Sequence, residues 1–91
     1  MSKQEFINLL LNCNGFRCVA EGSACELSCS VKKAVRNEDD ETIIDASCAE
    51  RIYESNLFRL HTRYIESVRK VAEWAYDVWV DGELFHFIIP Q

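Results

Sequence analysis

The sequence has few of the residues that break regular structure, with one proline and three glycines in 91 residues. Disordered and collagen-like chains need far more of both, so the shortage excludes those classes. The apolar fraction of 48% is typical of an ordered globular chain. Because the chain is shorter than most domains, we expect one domain over residues 1–91.

Long hydrophobic runs are also missing. No apolar stretch approaches the roughly 20 residues that a membrane helix needs. The N-terminal apolar run from Phe6 to Leu11 follows Glu5 rather than a basic segment, so it lacks the pattern of a signal peptide. We therefore expect a soluble protein with no membrane contact.

The five cysteines include no Cys-x-x-Cys spacing, which zinc ribbons and thioredoxin-like sites require. An odd number would leave one thiol over in an oxidised secreted protein, so reduced, cytoplasmic cysteines are the simpler interpretation. Cys18, Cys25 and Cys29 are predicted to share one strand face. We expect them to pack there as small buried hydrophobes, with a metal site as the alternative. We predict no metal and no cofactor.

Catalytic motifs are missing as well. The chain has no glycine-rich phosphate loop, metalloprotease helix motif or calcium loop. Neither His61 nor His86 is placed by a motif beside a nucleophile. Asp77 is predicted opposite His86 and could orient its imidazole, but a cross-strand charge pair is the simpler interpretation. We therefore expect that the protein is not an enzyme.

What is present is clear periodicity, beginning with an N-terminal helix. Ser2 and Glu5 form a capping box, and Asn14-Gly15 ends the segment. Between them, apolar residues recur at helical spacing, at Phe6, Leu9, Leu10 and Cys13.

The period then changes to two, which predicts a β-hairpin. A turn at Gly22-Ser23 joins the two strands. Its register pairs Ala20 with Cys25, Cys18 with Leu27, and Phe16 with Cys29. All these apolar residues then share one face, so the turn and the alternation agree.

A second, longer helix is predicted from Ser47 to Ala75. Ser47 and Glu50 form its capping box, and we expect about 28 residues, with a bend near Ser55-Asn56. Its apolar positions at helical spacing are Ile52, Tyr53, Leu57, Leu60, Tyr64, Val68 and Val71. Phe58, Ile65 and Ala72 widen this apolar sector. The width indicates either a dimer seam or partner groove, or a second intramolecular helix contact.

The C-terminal segment predicts another hairpin, because Asp81-Gly82 is a strong type I′ turn signal. Its register places Tyr76, Val78, Phe85 and Phe87 on the core face. The second face carries Trp79 and Leu84, with Asp77 opposite His86. Either this face is a contact surface, or one of the helices covers it and Trp79 belongs to the core.

Charge is segregated along the chain, whose net charge of -5 disfavours nucleic acid and anionic membranes. Residues 38–50 hold six acids and no base. The stretch from Arg59 to Lys70 is basic except for Glu66. We interpret the acidic loop from Asn37 to Glu41 as a possible protein contact and the basic stretch as a solvated helix face.

Together these patterns predict a two-layer α+β fold in which helices pack on an antiparallel sheet in the order α-β-β-α-β-β. We expect a homodimeric protein-protein interaction module, an inhibitor or adaptor of phage or bacterial type by analogy of size and composition. The predicted partner-binding residues are Trp79, Leu84, Ile88, Asp77, His86, Asp39, Asp40 and Glu41. The alternative is a nucleic-acid- or metal-binding regulator that uses the cysteine cluster or the basic face of Arg59, Arg63 and Lys70.

Overall fold

The computed structural model describes residues 1–23, 27–38, 41–48 and 57–90. In these residues the chain forms one α-helix, seven β-strands and one 3₁₀ turn. The elements are α1 (Lys3–Asn12), β1 (Phe16–Ala20), β2 (Leu27–Glu38), β3 (Glu41–Cys48), β4 (Leu57–His61), the 3₁₀ turn (Thr62–Tyr64), β5 (Ile65–Ala72), β6 (Ala75–Val80) and β7 (Glu83–Ile88).

The strands form one antiparallel sheet in the order β4-β3-β2-β1-β7-β6-β5. Its edge strands, β4 and β5, are consecutive in the chain. The four Cα steps from His61 to Ile65 span at most about 14 Å, whereas a flat seven-stranded sheet would separate its edges by about 29 Å. The sheet is therefore curled until its edges meet at the 3₁₀ turn, which Asp81 secures by donating its backbone N–H to the Tyr64 carbonyl at 3.0 Å.

The predicted α-β-β-α-β-β arrangement of helices on a sheet is wrong, because the fold is mostly β. Within the predicted long helix, residues 57–61 and 65–72 are strands, and residues 49–56 lie outside the described residues. The physical reason is visible at β4. Phe58 and Leu60 are buried while Arg59 between them is exposed, which is strand alternation. Over residues 57–72, the wide apolar helix sector is therefore replaced by strands and the 3₁₀ turn.

Helix α1 is confirmed, with its capping box formed. The Ser2 hydroxyl accepts from the Glu5 backbone N–H at 3.1 Å, and the Glu5 carboxylate accepts from the Ser2 N–H at 3.2 Å. Phe6 and Leu10 are fully buried. At 10 residues, α1 is too short to cross a membrane, and the described residues contain no other α-helix.

The first predicted hairpin is confirmed in its register, since Phe16 pairs with Cys29 and Cys18 with Leu27. Its turn comes one residue earlier than predicted. The Ser23 N–H donates to the Ala20 carbonyl at 2.9 Å, and Gly22 occupies the left-handed position with a φ of 83°. The predicted partner of Ala20, Cys25, lies outside the described residues.

The C-terminal hairpin is confirmed in both turn and register. Asp81 and Gly82 have φ angles of 49° and 81°, which a type I′ turn requires. Every predicted pair is present: Tyr76 with Phe87, Asp77 with His86, Val78 with Phe85, and Trp79 with Leu84.

The core fills the inside of the curled sheet, and we call the side of the sheet that lines it the inner face. The Phe58 ring lies 4.9 Å from Phe16 and 6.1 Å from Phe87, so β4 packs across the core against β1 and β7. Helix α1 covers the inner face, with Phe6 at 5.1 Å from the Phe87 ring. Cys18 and Cys29 are buried in this core, as predicted.

Candidate functional site

The strongest candidate site is the outer face of β1, β7, β6 and β5, opposite the core. Strand pairing places Val19, His86, Asp77 and Arg69 in one row across these four strands. Alternation puts the predicted apolar residues on the same side. We call this surface the Trp79 face, and define it by Trp79, Leu84, Ile88, Asp77, His86 and Arg69.

Its apolar centre is half-exposed. Trp79, Leu84 and Ile88 each keep intermediate exposure. Among the described residues, neither predicted helix covers this face: α1 packs on the inner face, and residues 57–61 and 65–72 of the predicted long helix are strands. The Arg69 guanidinium instead stacks over the Trp79 ring, 5.4 Å from its centre. The indole is therefore held in place from one side by a cation of its own chain.

Four charged side chains form a ladder beside this centre. Asp77 accepts a hydrogen bond from Arg69 at 3.1 Å, and one of its carboxylate oxygens lies 2.7 Å from His86 Nδ1. His86 Nε2 contacts the Glu21 carboxylate. The ladder links the turn that follows β1 to β7, β6 and β5, so it joins the outer face of three neighbouring strands to that turn.

The ladder shifts the pKa of its histidine and of its aspartate in opposite directions. The hydrogen bonds to Glu21 and then to Asp77 raise the pKa of His86. Burial opposes ionisation of Asp77, yet the hydrogen bonds from His86 and Arg69 outweigh it and lower the pKa of the carboxyl.

This arrangement does not fit general-base catalysis. A catalytic histidine needs one ring nitrogen to accept a proton from a nucleophile or a water. In His86 both nitrogens face carboxylates, and the place that a nucleophile would occupy at Nε2 is taken by Glu21. The arrangement is a structural cross-link with a charged surface.

The predicted acidic loop is split by the structure. Asp39 and Asp40 lie outside the described residues. Glu41 begins β3, and its side chain is only 5% exposed, 3.3 Å from His61 Nδ1 and 3.2 Å from Arg63 Nε. Its carboxylate is therefore buried between two basic side chains of the same chain.

The predicted basic face is not formed as one surface. Arg59 lies on β4, where it binds the Asp45 carboxylate through Nε at 2.7 Å. This contact, and the more distant Arg36, lower the pKa of Asp45 against the cost of burial. Arg63 lies in the 3₁₀ turn beside Glu41. Lys70 lies on β5, next to α1.

Metal ligation finds no support in the described part of the chain. No group of three or more His, Cys, Asp or Glu side chains is placed there to hold an ion. Cys18 and Cys29, two of the three predicted cluster members, contribute instead to the apolar core.

Two features of the outer face were missed. Arg69 and Glu21 complete the ladder, but Arg69 lies within the segment predicted as a helix, and Glu21 lies at the end of the first predicted strand, just before the Gly22-Ser23 turn. The residues next to Arg69 and Glu21 in the sequence give no sign that these side chains pair with Asp77 and His86. The cross-strand pairing of Arg69 with Asp77 follows only once β5 is known to be a strand.

A second surface was missed entirely. Trp74 lies in the turn between β5 and β6 with a φ of 68°, and its side chain is 41% exposed. It borders a groove of about 570 Å³ between this turn and α1. We call this the Trp74 groove; its lining includes Met1, Glu5, Leu9, Lys70, Glu73, Trp74 and Tyr76. Trp74 lies within the predicted helix from Ser47 to Ala75, because the sequence has no glycine or asparagine to indicate a turn between β5 and β6.

Comparisons of the sequence with known protein families and curated proteins, and of the structure with solved structures, found no match.

Proposed function

We propose that this chain is a protein-binding module of the inhibitor or adaptor type, which acts by stoichiometric binding through the Trp79 face. The observation that carries the proposal is the half-exposed apolar centre of Trp79, Leu84 and Ile88 on an outer sheet face. Aromatic and aliphatic side chains in such a position supply most of the binding energy of a protein interface once water is excluded.

The ladder supports this function by holding the surface in one conformation. Asp77 is hydrogen-bonded or ion-paired to both of its neighbours, and Arg69 is fixed between Asp77 and the Trp79 ring. Side chains that are already ordered lose less entropy when a partner binds. The partner that fits is a protein surface with an apolar centre and a rim of both charge signs.

A reducing compartment such as the cytoplasm is part of this proposal, because the buried Cys18 and Cys29 serve the core as hydrophobes. The rival function, nucleic-acid binding by the basic residues, has weaker support. Arg59 and Arg63 both have carboxylate partners, which reduces the attraction that phosphates would feel.

The test is affinity capture from the native host followed by mass spectrometry, with Trp79→Ala as the variant. We expect the variant to fold and to lose the partner, because the half-exposed indole contributes more to the interface than to the core. Val35→Ala is the matched control, since Val35 is an exposed apolar residue on β2, away from the Trp79 face. It should retain full capture.

The captured partner is then purified and its affinity measured by calorimetry. We expect Trp79→Ala to weaken binding at least tenfold. Unchanged affinity would remove the Trp79 face from the proposal. Unfolding of Trp79→Ala, at a cost of about 3 to 5 kcal/mol, would make Trp79 a core residue and contradict the proposal in the same way.

A further inference from the structure

The Trp74 groove concentrates exposed apolar surface at one corner of the molecule. Five large apolar residues of the described chain are exposed: Met1, Val35, Tyr64, Val71 and Trp74. Met1 and Trp74 line the groove, and Val71 lies three residues before Trp74. Two of the five, Met1 and Trp74, therefore border one groove, where a partner could cover both.

Trp74 has a backbone conformation that is unfavourable for a bulky side chain. Its φ of 68° lies in the left-handed region, which glycine and asparagine adopt readily and bulky residues rarely do. The turn is secured by the Trp74 carbonyl, which accepts from the Ile89 N–H at 2.8 Å. Strained residues of this kind are concentrated at functional sites, and here the strained residue holds an indole out toward solvent.

The Trp74 ring also differs from other aromatic rings at the surface. An arginine of the chain lies over Tyr64 at 4.9 Å, and another lies over Trp79 at 5.4 Å. Among the described residues, no such cation and no second ring is stacked on Trp74. At 41% exposure, Trp74 can be reached by a side chain from another molecule.

The charges at the rim suit a second copy of the same chain. Lys70 and Glu73 have opposite signs, and Glu5 adds a further carboxylate. A rim of both signs does not select a strongly charged partner. It is complementary to itself, because a two-fold axis brings the same patch of each copy against the other.

We propose that the Trp74 groove is the interface of a homodimer, in which the indole of each copy enters the groove of the other and packs on Met1 and Leu9. The dimer is independent of binding at the Trp79 face, so either proposal can fail without the other.

The first test is the mass in solution, measured by light scattering and sedimentation across a concentration series. We expect the mass to rise from that of a 10.5 kDa chain to twice that value. Trp74→Gly should weaken association at least tenfold. Because glycine adopts positive φ readily, its thermal midpoint at a concentration where both proteins are monomeric should be no lower than that of the wild type.

Tyr64→Ala is the matched control, because Tyr64 is an aromatic residue of similar exposure at another corner. This variant should dimerise like the wild type. A wild-type chain that stays monomeric at high micromolar concentration would overturn the proposal, as would undiminished association of Trp74→Gly. Loss of a foreign partner by Trp74→Gly in a strictly monomeric protein would assign the groove to that partner and overturn the dimer.

Fluorescence locates the interface. The chain has two tryptophans, so Trp79→Phe leaves Trp74 as the only one. Its emission should shift to shorter wavelength as concentration rises and the indole leaves water. In Trp74→Phe the remaining Trp79 emission should not change with concentration. A shift of Trp79 alone would place the interface elsewhere.

Discussion

Four residues of the described chain have positive φ angles. Their side chains differ in how well they tolerate this conformation. Gly22 and Gly82 adopt this conformation without cost. Asp81 tolerates it because a short polar side chain can, as the type I′ turn requires. Trp74 has neither advantage. Its conformation must be imposed by the strands and the Ile89 hydrogen bond around it.

At Gly82 the requirement for glycine is conformational and not steric. A Cβ atom there would meet nothing within 4 Å, but φ is 81°. We expect Gly82→Ala to lower the free energy of unfolding by about 1 to 2 kcal/mol, as measured by urea denaturation. Gly82→Asn should cost less, because asparagine tolerates positive φ. Equal losses in both variants would mean that the turn conformation is not the cause.

His86 should make stability depend on pH. Its pKa in the fold is raised above the ordinary value of 6.5, so its contribution is complete below that pH and is lost as pH rises through the folded pKa. Urea denaturation from pH 5 to pH 9 should show this decline. In His86→Gln the decline should disappear. If it persists unchanged, another group is responsible.

Asp77 should act in the opposite direction. Its pKa is lowered below 3.8, so its contribution is complete above that value and is lost as pH falls through the folded pKa. Acid denaturation followed by circular dichroism should therefore begin at higher pH in Asp77→Asn than in the wild type. An identical acid transition would exclude Asp77 as a source of acid stability.

At the scale of elements, the helix and the two hairpins could be predicted because their sequence signals lie within the elements themselves. The Ser2 cap, the Asp81-Gly82 turn and the alternation on both sides of each turn act within a few residues. The segment from Leu57 to Ala72 has apolar residues that satisfy both a helical and a strand period. Its pairing with β3 and β6 decides between them, and that pairing is a long-range property.

Phe58 tests the strand assignment. In β4 its ring packs against Phe16 and Phe87, so Phe58→Ala should lower the free energy of unfolding by about 3 to 5 kcal/mol. Tyr64→Ala should cost about 0.5 kcal/mol or less, because Tyr64 is exposed. Urea denaturation measures both. Similar small losses would mean that Phe58 does not reach the core.

At the scale of the whole molecule, the candidate site was partly predictable for the same reason. Trp79, Leu84, Asp77 and His86 belong to one hairpin, and the Asp-Gly turn sets their register. Arg69 joins them from β5, a strand whose sequence pattern also fits a helix. The Trp74 groove forms only because α1 packs beside the β5–β6 turn. No sequence pattern in either segment predicts that contact.

The central pairing of the sheet has a consequence for how the chain is made. β1 and β7 lie side by side, with Arg17 opposite Ile88, so residues near both ends of the chain form the middle of the sheet. The strands between them can pair locally as they emerge from the ribosome. The two halves cannot be joined until β7 has left the exit tunnel. Such distant contacts slow folding, so the apolar inner face should remain accessible to chaperones until β7 has emerged and paired with β1.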